Sequence, residues 1–126
     1  MQELHPWSAV STNVMGTLNL VQLAQTYKTE KFVLVSTDKA VRPKSVMGYT
    51  KRFAEIYLQY LNKKNNDKIK LGVVRFGNVF GSAGSVIELF NRQIQNKLPI
   101  TITHPDVTRY FMTIPEASIL LIQSLS

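Results

Sequence analysis

An unbroken apolar run, Phe32-Val33-Leu34-Val35, empties into four polar residues, Ser36-Thr37-Asp38-Lys39, and a helical pattern opens near Met47. A short, partly β-branched run without polar alternation reads as a buried strand. Pro43 blocks early helix formation, because its ring fixes φ and biases the preceding residue away from helical backbone. A second apolar run, Ile69 to Phe76, follows the helix. Such runs suit a parallel sheet, in which helical crossovers cover the strands. Hydroxyl, carboxyl and amino groups therefore collect where a strand's carboxyl end meets a helix start, the place where open α/β sheets bind ligands.

The rest of the chain fits around this unit. Residues 6 to 27 predict a helix with Val10, Val14, Leu18 and Val21 on one face. Asn13 and Gly16 interrupt it, since glycine costs a helix interior about 1 kcal/mol relative to alanine and asparagine competes for backbone hydrogen bonds. Both suggest close packing or a site. Trp7 is expected as a packing anchor. The helix from Met47 carries Ala54, Leu58 and Leu61 with Phe53, Tyr57 and Tyr60 alongside, a wide face for the core or for helix pairing. Gly77-Asn78 ends the second strand, and Ser85 to Lys97 is helical, with Ser85 and Glu88 spaced as a capping box. Pro99 to Thr103 alternates like an edge strand, and Pro115 starts a last helix.

Composition narrows the function. At 126 residues the chain allows one domain, and 44% hydrophobic with 18% charged residues describes a globular one. Cysteine is absent, so disulfides and thiolate metal sites are excluded. His5 and His104 have no metal-spaced partner, so no metal is expected. No apolar run approaches the roughly 18 residues of a spanning helix, and the first residues lack a basic, then apolar leader. A cytoplasmic protein is the expectation. The formal charge of +7 favours anionic partners. Its densest basic stretch, Lys63 to Lys70, has no interleaved aromatics, so it reads as a solvated loop and not a nucleic-acid grip.

Three ordered blocks carry a family likeness. They are Ser36-Thr37-Asp38-Lys39-Ala40 with Pro43 and Met47-Gly48-Tyr49-Thr50-Lys51, then Arg75-Phe76-Gly77-Asn78-Val79-Phe80-Gly81, then Thr108-Arg109-Tyr110-Phe111-Met112-Thr113. The chain resembles the extended short-chain dehydrogenase/reductases, and within them the nucleotide-sugar 4,6-dehydratases of capsule, O-antigen and glycan synthesis. Their larger members carry a methionine where the superfamily has its site tyrosine. The resemblance implies a partial Rossmann-like α/β fold, the C-terminal half of a doubly wound parallel sheet. Residues 1 to 98 would belong to the NAD(P)-binding domain and 99 to 126 to the start of a substrate-binding region. The six glycines contain no G-x-G-x-x-G phosphate cradle, which the family places upstream of these blocks.

The resemblance also implies residue roles. Thr37, Met47 and Lys51 would serve oxidation of the sugar's C4 hydroxyl, with Asp38 as acid and Lys39 as base for elimination across C5 and C6. Asn13, Ser36 and Lys51 would bind the cofactor, NADP or NAD; Asn78, Ser85 and Arg109 would bind a UDP-sugar, with UDP-N-acetylglucosamine expected. Met47 and Lys51, four residues apart, share a helix face, whereas Tyr49 points away. Met47 has a thioether that cannot take a proton, which argues against ordinary dehydrogenase or epimerase chemistry. A structural salt bridge is the alternative for Arg109, and a solvated surface pair the alternative for Asp38-Lys39. Two other functions are weighed: a UDP-sugar 4-epimerase, and a non-catalytic remnant that pairs with a full-length partner. A homo-oligomer through helices 9–27 and 47–63 and membrane tethering of the parent protein are further implications. Little or no turnover is expected of the 126-residue chain alone.

Overall fold

The computed structural model describes residues 5–64, 69–81, 86–102 and 104–125. The first helical stretch is three pieces: α1 (Pro6–Ala9), a π-helical segment (Val10–Met15) and α2 (Gly16–Thr26). Then come β1 (Lys31–Thr37), a 3-10 turn (Asp38–Ala40), α3 (Val46–Lys64) and β2 (Lys70–Phe76). β3 (Asn78–Val79), α4 (Val86–Gln95), β4 (Phe111–Met112) and α5 (Ile114–Gln123) complete the order.

β1 and β2 pair in parallel over their full length, from Lys31 opposite Lys70 to Thr37 opposite Phe76. α3 is the crossover, so the expected unit is present. The core is Val21 and Ala24 of α2, Leu34 of β1, Ala54 and Leu58 of α3, and Ile69 and Leu71 at β2. α2 and α3 thus share one apolar cluster with the sheet. Leu58 and Val21 are fully buried, and each such side chain contributes about 1.5–3 kcal/mol. Among the described residues, no helix is long and apolar enough to cross a membrane.

Several expectations are corrected. The most buried positions of the first helical stretch are Ala9, Asn13, Thr17, Val21 and Ala24, not the stripe through Val10, Val14 and Leu18, which is half-buried. A π turn holds more residues than an α turn, so successive fours stay aligned, and small side chains let this stretch approach α3 closely. Trp7 is 82% exposed and anchors nothing among the described residues. The aromatic face expected on α3 for the core or for pairing divides instead of being overturned: Tyr57 packs on the core, and Phe53 and Tyr60 are exposed. Residues 99–102 form no strand: Gln93 of α4 engages Thr101 through both its backbone N–H and its hydroxyl, replacing a ladder. Thr103 and the Ser85 end of the expected capping box lie outside the described residues. A capping box does form at α5, where Thr113 and Glu116 bond reciprocally.

Candidate active site

The site grows from the carboxyl end of β1. Thr37 Oγ1 accepts from the Lys39 backbone N–H at 3.4 Å and donates to Asp38 Oδ1 at 3.0 Å, so the last strand residue caps the 3-10 turn. Lys39 Nζ donates to Asp38 Oδ1 at 3.2 Å and to Asn78 Oδ1 at 3.3 Å. Thr37, Asp38, Lys39 and Asn78 are thereby brought together at the ends of adjacent parallel strands. Burial pushes the Asp38 carboxyl up, but hydrogen bonds from Lys39 and Thr37 and the Lys39 charge outweigh it and hold it below its ordinary value. The resting pair is ionic.

α3 closes the site from one side. Ser45 Oγ accepts the Gly48 N–H at 3.1 Å at the helix start. A Cβ on Gly48 would lie 2.7 Å from the Lys39 carbonyl oxygen, so only glycine lets the first turn of α3 rest on the Asp38–Ala40 turn. Met47 is half-buried, and Tyr49 is exposed. Lys51 Nζ donates to the Val35 carbonyl at 3.3 Å, and burial pushes its pKa down. Asn13, buried in the π-helical segment, donates through Nδ2 to Thr50 Oγ1 at 3.0 Å, the residue beside Lys51. π turns recur at functional sites, and this one aims an asparagine at the helix that carries the lysine.

Ser36 faces elsewhere. Its buried hydroxyl adjoins Glu55, whose acidity it increases, yet it forms no hydrogen bond of normal geometry. Glu55 is buried in α3 and receives Arg75 Nε at 2.8 Å, Arg75 Nη2 at 2.6 Å and Arg52 Nη1 at 2.9 Å. Burial pushes its carboxyl up, but the two arginines bring it down to about 2. Sequence reasoning missed this pair. Its signal was a carboxylate four residues after Lys51 and three before Leu58, inside the apolar stripe of α3.

The second wall comes from the segment before β4. β3 and β4 pair in parallel, with Asn78 N–H on the Tyr110 carbonyl at 2.9 Å. Gly77 permits this approach, since a Cβ there would lie 2.8 Å from that same oxygen. Arg109 and Tyr110 consequently line one cleft of about 380 Å³ with Asp38, Lys39, Arg42 and Lys44. Arg109 donates to the Thr108 carbonyl at 2.8 Å and, among the described residues, pairs with no carboxylate. Arg42 and Lys44 were also missed, although their positions between the Asp38-Lys39 pair and α3 were visible. Ser85 lies outside the described residues, and no group able to hold a metal occurs among those described.

The backbone defines the class of protein. A UDP-glucose 4-epimerase from Thermotoga maritima superposes with a TM-score of 0.79 over 98% of this chain and 46% of that one, at 20% identity. This is a Rossmann-like fold. Within it the chain belongs to the polysaccharide biosynthesis protein family, whose profile matches residues 1–126. It is 52% identical over 124 residues to the capsular polysaccharide biosynthesis protein CapD of Staphylococcus aureus, covering 98% of this chain and 20% of CapD. A UDP-glucose 4-epimerase of Rickettsia rickettsii is 39% identical over 116 residues, 91% of this chain and 34% of that protein. The solved structure of Pen from Bacillus thuringiensis is similar at 38% identity and a TM-score of 0.87, over 97% of this chain and 38% of that one. The chain spans about a fifth of CapD's length.

Proposed function

We propose that these residues form the reactive centre of a nucleotide-sugar 4,6-dehydratase in polysaccharide synthesis, acting on a UDP-sugar with UDP-N-acetylglucosamine the expected substrate. The observation that carries this reading is Lys39 Nζ, shared between the Asp38 carboxylate and the Asn78 amide at the carboxyl ends of parallel strands.

The residues present fit the nicotinamide side of an NADP or NAD site. Lys51 uses one of its three donors on the Val35 carbonyl and has two left for a ligand. Met47 shares its helix face, Asn13 bonds the adjacent Thr50, and Thr37 ends the strand whose Val35 carbonyl Lys51 holds. Ser36, turned to Glu55, would contribute through its backbone. NADP or NAD, when bound, supplies the acceptor for the C4 hydride and its return to C6.

Elimination needs a neutral amine and a protonated carboxyl, whereas the resting pair is charged. One proton moving along the 3.2 Å Lys39–Asp38 bond supplies both. A sugar filling the cleft removes water from the pair, and desolvation disfavours the two charges. Neutral Lys39 then takes the C5 proton, made acidic by the C4 carbonyl. Asp38 protonates the C6 hydroxyl, which leaves as water while the C5–C6 double bond forms. The ionic pair is regenerated without an outside proton.

The Rickettsia relative favours a second reading, 4-epimerisation. Met47 weighs against it, having no proton to exchange. The full product of the gene, incubated with UDP-N-acetylglucosamine, should yield a sugar nucleotide lighter by one water; a product of unchanged mass would establish epimerisation instead. Leu20, Leu23, Phe53, Ile56 and Tyr60 are exposed on α2 and α3. We assign this face to pairing with a second copy, and a sedimentation mass of one chain would remove that assignment.

A further inference from the structure

The cleft beside Lys39 holds more positive charge than the elimination uses. Its lining includes four cations, Lys39, Arg42, Lys44 and Arg109, against one carboxylate, Asp38. Asp38 is already bonded to Lys39. Among the described residues Arg42, Lys44 and Arg109 have no carboxylate partner, so three charges face the same space uncompensated. Surface cations left unpaired usually diverge into solvent. These three line one cleft, and both of its walls are fixed at backbone level.

On the first wall, Gly48 rests against the Lys39 carbonyl, with Pro43 and Ser45 next in contact, so the Arg42–Ser45 loop is pressed onto the reactive turn. On the second wall, Gly77 rests against the Tyr110 carbonyl and the β3–β4 pairing holds Arg109 opposite. Two glycine contacts thus hold the two backbone walls of a cleft that has an arginine on each wall. Arginine's fork matches phosphate oxygens in pairs, and lysine adds a point charge.

We propose that Arg42 and Lys44, facing Arg109 across the cleft, form the subsite for the diphosphate of the nucleotide sugar. The assignment rests on the UDP-sugar reading above and adds the two residues that distinguish a diphosphate ester from a neutral sugar. C4, C5 and the phosphate-bearing C1 belong to one six-membered ring, and C6 is attached to C5, so the anion must bind about a sugar ring's width from Lys39. Arg42 and Lys44 are three and five residues beyond it and line the same cleft.

Calorimetric titration of UDP and of uridine into the full product of the gene tests this. Arg42→Ala and Lys44→Ala should each weaken UDP binding about tenfold, and the double variant about a hundredfold, with uridine binding unchanged. Arg42→Lys, which keeps the charge without the fork, should lose less affinity than Arg42→Ala, which separates a charge contact from damage to the loop. In turnover, the KM for the nucleotide sugar should rise while kcat holds. UDP binding in the double variant within twofold of the parent would overturn the subsite, as would a fall in kcat at constant KM. If UDP binding depends on both residues but UDP-N-acetylglucosamine loses no water, the subsite stands and the dehydratase reading falls. If the double variant dehydrates the sugar nucleotide with an unchanged KM, the dehydratase reading stands and the subsite falls.

Discussion

Glu55 and Arg75 meet in a two-pronged pair, 2.8 and 2.6 Å, across the interface of α3 and β2. Arg75 stands opposite Ser36 in the strand register, so the pair closes on the rung just before Thr37. Lys51 grips the preceding rung, through the Val35 carbonyl. Two successive turns of α3 are thus fastened to two successive rungs of the sheet. The reactive turn begins immediately beyond them.

This carboxyl makes stability depend on pH in a defined direction. Its folded pKa is depressed from 4.5 to about 2, so its contribution is fully present above 4.5 and is lost as pH falls toward 2. The shift corresponds to a stabilisation on the order of 3 kcal/mol at neutral pH. In urea unfolding, Glu55→Gln should therefore be destabilised most at pH 7, and its deficit against the parent should shrink between pH 4.5 and 2. A deficit constant over that window would mean the charge of Glu55 contributes nothing.

Sequence reasoning succeeded where the physics is local. β1 and β2 were legible because short β-branched runs have few alternatives to a buried strand, and the Thr37-Asp38-Lys39 turn was legible because it follows one. Contacts between distant residues were not. Nothing near Asn78 announces that a two-residue strand will pair with Phe111, and Arg75 becomes a partner of Glu55 only once the crossover is folded. Asn13 and Gly16 marked a disturbance in the first helix without showing that it is a π turn. The alternation of 99 to 103 misled because Gln93 captures Thr101 instead.

Gly77 fixes the width of the cleft. In Gly77→Ala the new methyl would sit 2.8 Å from the Tyr110 carbonyl oxygen and 3.2 Å from Tyr110 Cβ, so the β3–β4 pair must separate. Overpacking of this kind costs about 1–3 kcal/mol. The expected result is a lower melting temperature together with a raised KM for the nucleotide sugar, as Arg109 withdraws from Arg42 and Lys44. A lowered melting temperature with unchanged KM would detach the β3–β4 pair from substrate binding.

Thr50 links the π turn to α3. Its hydroxyl accepts from Asn13 and donates to the Met47 carbonyl at 3.0 Å. Thr50→Val keeps the shape and strands the buried Asn13 amide, a loss of about 1–3 kcal/mol. Thr50→Ser should restore most of that stability. Equal melting temperatures for the valine variant and the parent would show that Asn13 finds another partner.

The Lys39–Asp38 bond makes the strongest claim about chemistry. If Asp38 receives the lysine's proton internally, elimination by the parent should depend little on pH near neutrality. Asp38→Asn removes both that acceptor and the acid for the leaving hydroxyl, and positioned acid–base groups contribute about 10²–10⁴-fold. Lys39→Ala removes the base for the C5 proton and should lose activity over the same range. Full activity in Lys39→Ala would show that the C5 proton does not go to Lys39, and the base would have to be sought elsewhere in the cleft.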